Sequence, residues 1–137
     1  MRIIARGVRL RSLAAVLAAG GLVGAAIAPP AAAGTLLIND TYKVVRFNAQ
    51  TGALVDTLVP PGTGGLQFVT SMAWGADGNL YVGDSGSSSI LRFNGATGAF
   101  VDTFVSTGTT GLDYPSSMAF GPDGNLYVSN VQRPNFN

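Results

Sequence analysis

Oxygen-bearing side chains recur at three matched positions. Asp40, Asp84 and Asn130 each close a short apolar run, in "TLLIND", "NLYVGD" and "LYVSN". Carboxylate and amide oxygens at neighbouring strand ends are ligands that a hard cation such as Ca²⁺ takes, so these three are the candidate metal ligands. The same residue types also cap their own loops by accepting nearby backbone N–H groups, which is their commoner role. Asp77 and Asp123 belong to the turns "GADGN" and "GPDGN" and read as structural. Asp56 and Asp102 fall in mid-strand and read as solvent-facing. His and Cys are absent, and all seven acidic residues are Asp. That removes the usual general bases, the thiol nucleophile and the common zinc ligands. No catalytic and no cofactor-binding residue is assigned.

The matched positions follow from an internal repeat. "RFNAQTGALVDTLV" (46–59) lies over "RFNGATGAFVDTFV" (92–105), and "SMAWGADGNLYV" (71–82) over "SMAFGPDGNLYV" (117–128), at a constant offset of 46 residues without a gap. About 24 of 42 aligned positions are identical, too many for shared compositional bias. A partial copy precedes them: "GTLLIND" (34–40) falls on "GNLYVGD" (78–84), and its following loop is two residues shorter.

Within one unit the periodicity is that of strands. "SMAF" is a short apolar run ending in "GPDG". There Pro122 suits the second position of a type I turn, and Gly124 the left-handed position that follows. "NLYV" alternates and is rich in β-formers. "SILRF" puts Ile90 and Arg92 on one face, Leu91 and Phe93 on the other. "NGATG" is a turn and "AFVDTFV" a fourth strand. Four short antiparallel strands per 46 residues match the period of propeller blades. The expected class is therefore all-β, with four-stranded antiparallel blades: a partial blade over 34–59, a full blade over 69–105 and a partial blade over 116–130. Trp74 and Phe120 share one repeat position, as do Tyr81 and Tyr127, and all four read as packing residues.

Residues 1–33 read differently. Arg2, Arg6, Arg9 and Arg11 precede an apolar stretch, Leu13–Ala28. Pro29 and Pro30 follow, then small residues up to Ala33. This is the layout of a secretory signal peptide, with cleavage expected between Ala33 and Gly34. The stretch is shorter than the roughly 20 strongly apolar residues of a membrane span, so no stable span is expected after cleavage and the address is secreted, periplasmic or extracellular. From Gly34 onward four basic residues oppose seven Asp. A mildly acidic body argues against nucleic acid as partner. Without Cys there is neither a lipid-attachment thiol nor a disulfide, and the core alone must hold the fold.

The string "PSSMAFGPDGNLYVSN" (115–130), followed in the earlier copy by "ILRF", resembles the six- or seven-bladed propellers of the NHL-repeat, gluconolactonase-like and virginiamycin B lyase-like group. The resemblance covers nearly all of residues 34–130. It implies that "SMAF" is the inner, channel-lining strand. It also implies a His in the lyase branch, which this chain lacks. In the gluconolactonase branch it implies a divalent metal held by Glu, Asp and Asn, with an Asn where this chain has Ser116 and Thr70.

A propeller closes with about four to eight blades. The repeats here make about two to two and a half, and "VQRPNFN" (131–137) departs from the pattern, with Pro134 arguing against a further strand. No atypical capping unit is visible, which points to a truncated propeller; the alternative is a short chain whose copies assemble into a ring. The expected function is an exported, non-enzymatic binding or scaffold module for an unknown ligand or protein. The alternatives are a fragment of a gluconolactonase-like hydrolase without its catalytic blades, and a self-assembling blade unit with a structural surface role. Met72, Trp74, Leu80, Val82, Met118, Phe120, Leu126 and Val128 should need a neighbouring blade to cover them. Open blade edges should favour self-association.

Overall fold

A computed structural model describes residues 34–108 and 111–132. The expected leader up to Ala33, and Pro134 with the end of the tail, lie outside the described residues. Gly34 is the first described residue; its carbonyl accepts the Ala49 N–H at 2.6 Å, and the first strand begins at the next position.

Among the described residues nine strands follow in order: β1 Thr35–Asp40, β2 Lys43–Asn48, β3 Leu54–Val59, β4 Val69–Trp74, β5 Asn79–Asp84, β6 Ser89–Asn94, β7 Phe100–Val105, β8 Tyr114–Phe120 and β9 Leu126–Val131. They form three antiparallel sheets in plain meander order, β1-β2-β3, β4-β5-β6-β7 and β8-β9. The four-stranded sheet runs from Val69 to Val105. The last sheet starts two residues earlier than 116 and runs one beyond 130, because Tyr114 pairs with Val131 and Pro115 with Asn130.

Turn chemistry sets the register of each hairpin. Gly78 and Gly124 have φ of 79° and 78°, a conformation that costs an L side chain energy and glycine nothing. Each donates its N–H back three residues, to Gly75 at 3.1 Å and Gly121 at 3.0 Å. In the next hairpin Asn94 Oδ1 accepts the N–H groups of Ala96 and Thr97, both at 3.0 Å. Asn48 does the same for Gln50 and Thr51, both at 2.9 Å. The β2–β3 and β6–β7 ladders also share their bulges, between Val44 and Val45 and between Arg46 and Phe47 in one, and at the matched positions of the other.

The core lies between sheets, in two layers. One joins the first two blades through Val44, Leu58, Val59, Leu80, Val82, Leu91 and Phe93, with Leu37, Met72 and Trp74 at its margin. The second joins the full blade to β8-β9 through Ala73, Tyr81, Ile90 and Met118, flanked by Phe120, Leu126 and Val128. Alternate residues of β5 and β6 point into opposite layers, so Leu80 and Val82 serve one interface and Tyr81 the other. The central blade is covered on both faces. That is why "NLYVGD", which alternates in sequence, is buried from Leu80 to Asp84.

Candidate functional site

The candidate ligand positions sit one per blade, each with partners of its own. Asp84 is fully buried. Its Oδ1 accepts the backbone N–H of Phe68 at 2.6 Å and of Gly86 at 2.9 Å. Its Oδ2 accepts the Gln67 N–H at 3.0 Å and the Ser87 hydroxyl at 2.8 Å. Four donors thus converge on one carboxylate, and a cation would have to displace them. Asn130 plays the same part in the last sheet. Its Oδ1 accepts the N–H groups of Asp113 at 2.9 Å and Tyr114 at 3.1 Å, and its Nδ2 donates to the Gly111 carbonyl at 3.0 Å. In both copies the end of a blade's second strand clips the loop that leads into its inner strand. Asp40 is exposed and pairs with Lys43 at 3.2 Å. Among the described residues no three acidic side chains gather in a group able to hold a metal ion.

The turn aspartates are equally committed. Asp77 accepts the Asn79 N–H at 3.1 Å, its side-chain amide at 2.7 Å and the Tyr81 hydroxyl at 3.1 Å, with the Arg92 guanidinium 3.7 Å away. Burial works to raise its pKa, but these bonds and the Arg92 charge outweigh burial and lower it. Asp123 accepts the matching donors of Asn125 at 3.0 and 2.7 Å and the Tyr127 hydroxyl at 2.9 Å. The Asn125 N–H and then the Tyr127 hydroxyl hold its carboxyl below the usual range.

Asp56 and Asp102 are not simply solvent-facing. Each stands opposite an arginine in the ladder, Arg46 and Arg92 respectively. The Arg92 fork is bidentate to Asp102, Nε to Oδ1 at 3.0 Å and Nη2 to Oδ2 at 2.6 Å. Arg46 grips Asp56 through the same two nitrogens. The hydrogen bond from Arg46 lowers the Asp56 pKa, and Arg46 is raised in return. Arg92 also lies over the rings of Tyr81 and Phe104, at 5.8 and 5.6 Å from their centroids. Arg46 reaches across to the next blade, donating to the Ala96 carbonyl at 2.9 Å. The spacing Arg-x₉-Asp, present in both copies, was the available signal for these pairs.

Thr70 and Ser116, where the resemblance implies a metal-ligating Asn, sit at matched bulges of the inner strands β4 and β8. The Thr70 hydroxyl is 3.1 Å from the Gly83 carbonyl and 2.6 Å from the Pro115 carbonyl of the next sheet. Ser71 donates to that same Pro115 oxygen at 2.9 Å. Ser116 donates within its own sheet to the Ser129 carbonyl at 3.2 Å. A Cβ on Gly83 would collide with the Ser71 hydroxyl, so glycine is needed for this inter-blade approach. Sequence reasoning missed the clamp, since its partners stand 44 and 45 residues apart.

Along the inner strands an apolar cleft of about 300 Å³ opens between Leu37, Met72, Trp74, Leu80, Met118 and Phe120. The side chains that define it come from all three sheets. Trp74 and Phe120 therefore pack against the core layers, as read from their shared repeat position, and each also presents part of its ring to the cleft.

No family model matches the chain, and no curated protein matches it. Among solved structures it is similar to hydrazine synthase of Kuenenia stuttgartiensis, with a TM-score of 0.56 and 22% identity. The match covers 73% of this chain and 27% of that one. It is also matched, at a TM-score of 0.44 and 9% identity, to the Cps50 (Swd1) β-propeller domain of Myceliophteria thermophila, over 69% of this chain and 34% of that one. The fold is that of β-propeller blades. At this level of identity the likeness extends to the fold alone, and the chain spans about a quarter of the length of the first of these structures.

Proposed function

We propose that the chain is an exported β-propeller module of the NHL-like type that acts by binding or scaffolding rather than by catalysis. One observation carries the reading. Asp77, Asp84, Asp56 and their counterparts one repeat later are each occupied by donors, and the occupation recurs at the same offset of 46 residues. A reacting centre is a single place where side chains from several elements meet around a substrate. Groups that repeat with the blade, each saturated inside its own blade, serve the blade. The leader-like residues up to Ala33 support export. Binding would draw on the apolar cleft, where Trp74 is the only tryptophan of the chain and its fluorescence would report occupancy.

Two measurements test this. N-terminal sequencing of protein recovered outside the cytoplasm should give Gly34; a Met1 start in the membrane fraction would refute cleavage and release. Incubation of the purified protein with lactones, with and without Ca²⁺, Mg²⁺ or Mn²⁺, should give no hydrolysis above the buffer rate. Metal-dependent turnover would refute the non-catalytic reading.

A further inference from the structure

The repeat places the same residues in covered and uncovered settings. Leu80 and Val82 of the central blade are 0% exposed, because their face, the leading face, packs on the preceding blade. Their counterparts in the first blade, Leu36 and Ile38, are 50% and 41% exposed. Tyr81 is 5% exposed, packed on the following sheet with its ring centroid 5.0 Å from that of Phe120. Its counterpart Tyr127, on the trailing face of β8-β9, is 59% exposed. It borders an open depression of about 410 Å³ lined by Ser117, Ala119, Tyr127 and Ser129.

The two uncovered faces carry matched parts of one interface, although β1-β2-β3 has no counterpart of β8, which brings Met118 and Phe120 to the interior one. In the interior, Tyr81 and Ala73 on a trailing face belong to one cluster against which Leu126 and Val128 of the next leading face pack. Leu36 and Ile38 are the same positions as Leu126 and Val128, and Tyr127 is the same position as Tyr81. A surface that already packs against its complement within the chain is matched to that complement on another copy.

We infer that copies of this chain dock head to tail, the trailing face of β8-β9 on one copy against the leading face of β1-β2-β3 on the next. Tyr127 and Ala119 of one copy cover Leu36 and Ile38 of the other. Such an interface is heterologous: it leaves a free face of each kind at the ends and closes only if the rotation between copies closes. The inference rests on the blade fold and the repeat. It is independent of export and of the absence of catalysis, so its failure would leave the leader and turnover tests untouched.

The test uses two variants of the full chain, Ile38→Lys on the leading face and Tyr127→Lys on the trailing face, in light scattering behind size-exclusion chromatography. Wild type should show a mass that rises with concentration. Each variant alone should associate about 30-fold more weakly or less, the scale of losing an interface anchor. Mixed one to one, the two should recover a complex that stops at a heterodimer, because each retains one intact face. Circular dichroism melts check that both variants fold, with Ile38→Thr and Tyr127→Ser as milder substitutes where the lysines unfold the chain. Three results would overturn the inference: wild type monomeric throughout, as when further blades of a longer chain cover these faces; single variants that associate like wild type; or a mixture that stays monomeric, which marks a symmetric contact instead.

Discussion

Replacing Asp84 by Ala separates a loop latch from a metal ligand. The substitution removes the acceptor from four donors, the N–H groups of Gln67, Phe68 and Gly86 and the Ser87 hydroxyl. Hydrogen bonds to a charged group contribute about 1.5–3 kcal/mol each, and leaving a buried donor unmet costs about 1–3 kcal/mol. Gly86 and Ser87 lie in the loop directly after Asp84 and can turn to water. Gln67 and Phe68 are fixed by the strand that follows them and keep most of the penalty. The expected loss is about 3–4 kcal/mol, a large part of the roughly 5–15 kcal/mol typical of a domain. In a chain this size it lowers Tm by more than about 12 °C. Asp84→Asn should cost less than half as much, since Asn130 shows that one amide oxygen can serve the two N–H groups entering the inner strand. Thermal melts by circular dichroism, run with excess Ca²⁺ and with a chelator, decide the matter. The latch reasoning requires the wild-type Tm to be the same in both buffers. A Tm that falls on chelation, or an Asp84→Ala variant that melts within about 2 °C of wild type, would refute it.

Three further outcomes follow from the repeat. Phe93→Ala should cost about 3–5 kcal/mol in chemical denaturation, because Phe93 is fully buried between two blades; Phe47→Ala, at the matched but half-buried position, should cost less than half of that. Acid should destabilise the fold mainly below the ordinary carboxylate value: Asp56, Asp77 and Asp123 have folded pKa values lowered by their donors. Their contribution is present above the unfolded pKa and is lost as pH falls through the folded one. Melts from pH 6 to pH 2 should show this drop, and Asp77→Asn should flatten it. Gly98→Ala should destabilise more than Gly52→Ala, although both glycines have φ near 70°, because only at Gly98 does an added Cβ strike a neighbour, the Leu58 backbone; equal losses in paired melts would contradict this.

Most of the fold was legible because the chain states it more than once. Two copies aligned without a gap fix where strands begin, and "GPDGN" and "NGATG" fix the turns through glycine and asparagine chemistry that is local in sequence. Non-local partners were not legible. Asp84 reads as a strand-end oxygen from its neighbours, but its donors Gln67 and Phe68 come from a loop 17 and 16 residues earlier. Asp56 and Asp102 read as solvent-facing because alternation assigns a face without naming the residue opposite. The bulges that bring Arg46 and Arg92 onto them insert backbone that alternation does not register. The clamp on Pro115 joins blades, and periodicity within one unit carries no information about the next.

That clamp has a consequence for how the molecule comes apart. Among the described residues every strand pairing lies inside one blade. Blades are joined by side-chain layers, the Thr70 and Ser71 hydroxyls, the Arg46 guanidinium and the Val69 N–H on the Thr41 carbonyl. Stability then behaves as a chain of nearest-neighbour couplings. The central blade enjoys two of them and each flanking sheet one. Amide protons of β5 and β6 should exchange most slowly with solvent, and those of β9 and β1 should exchange through opening of their own sheet, without waiting for the centre to unfold. Under native conditions such an array opens from its flanks inward, so exchange rates should step down from the outer sheets toward the central blade well below the melting range.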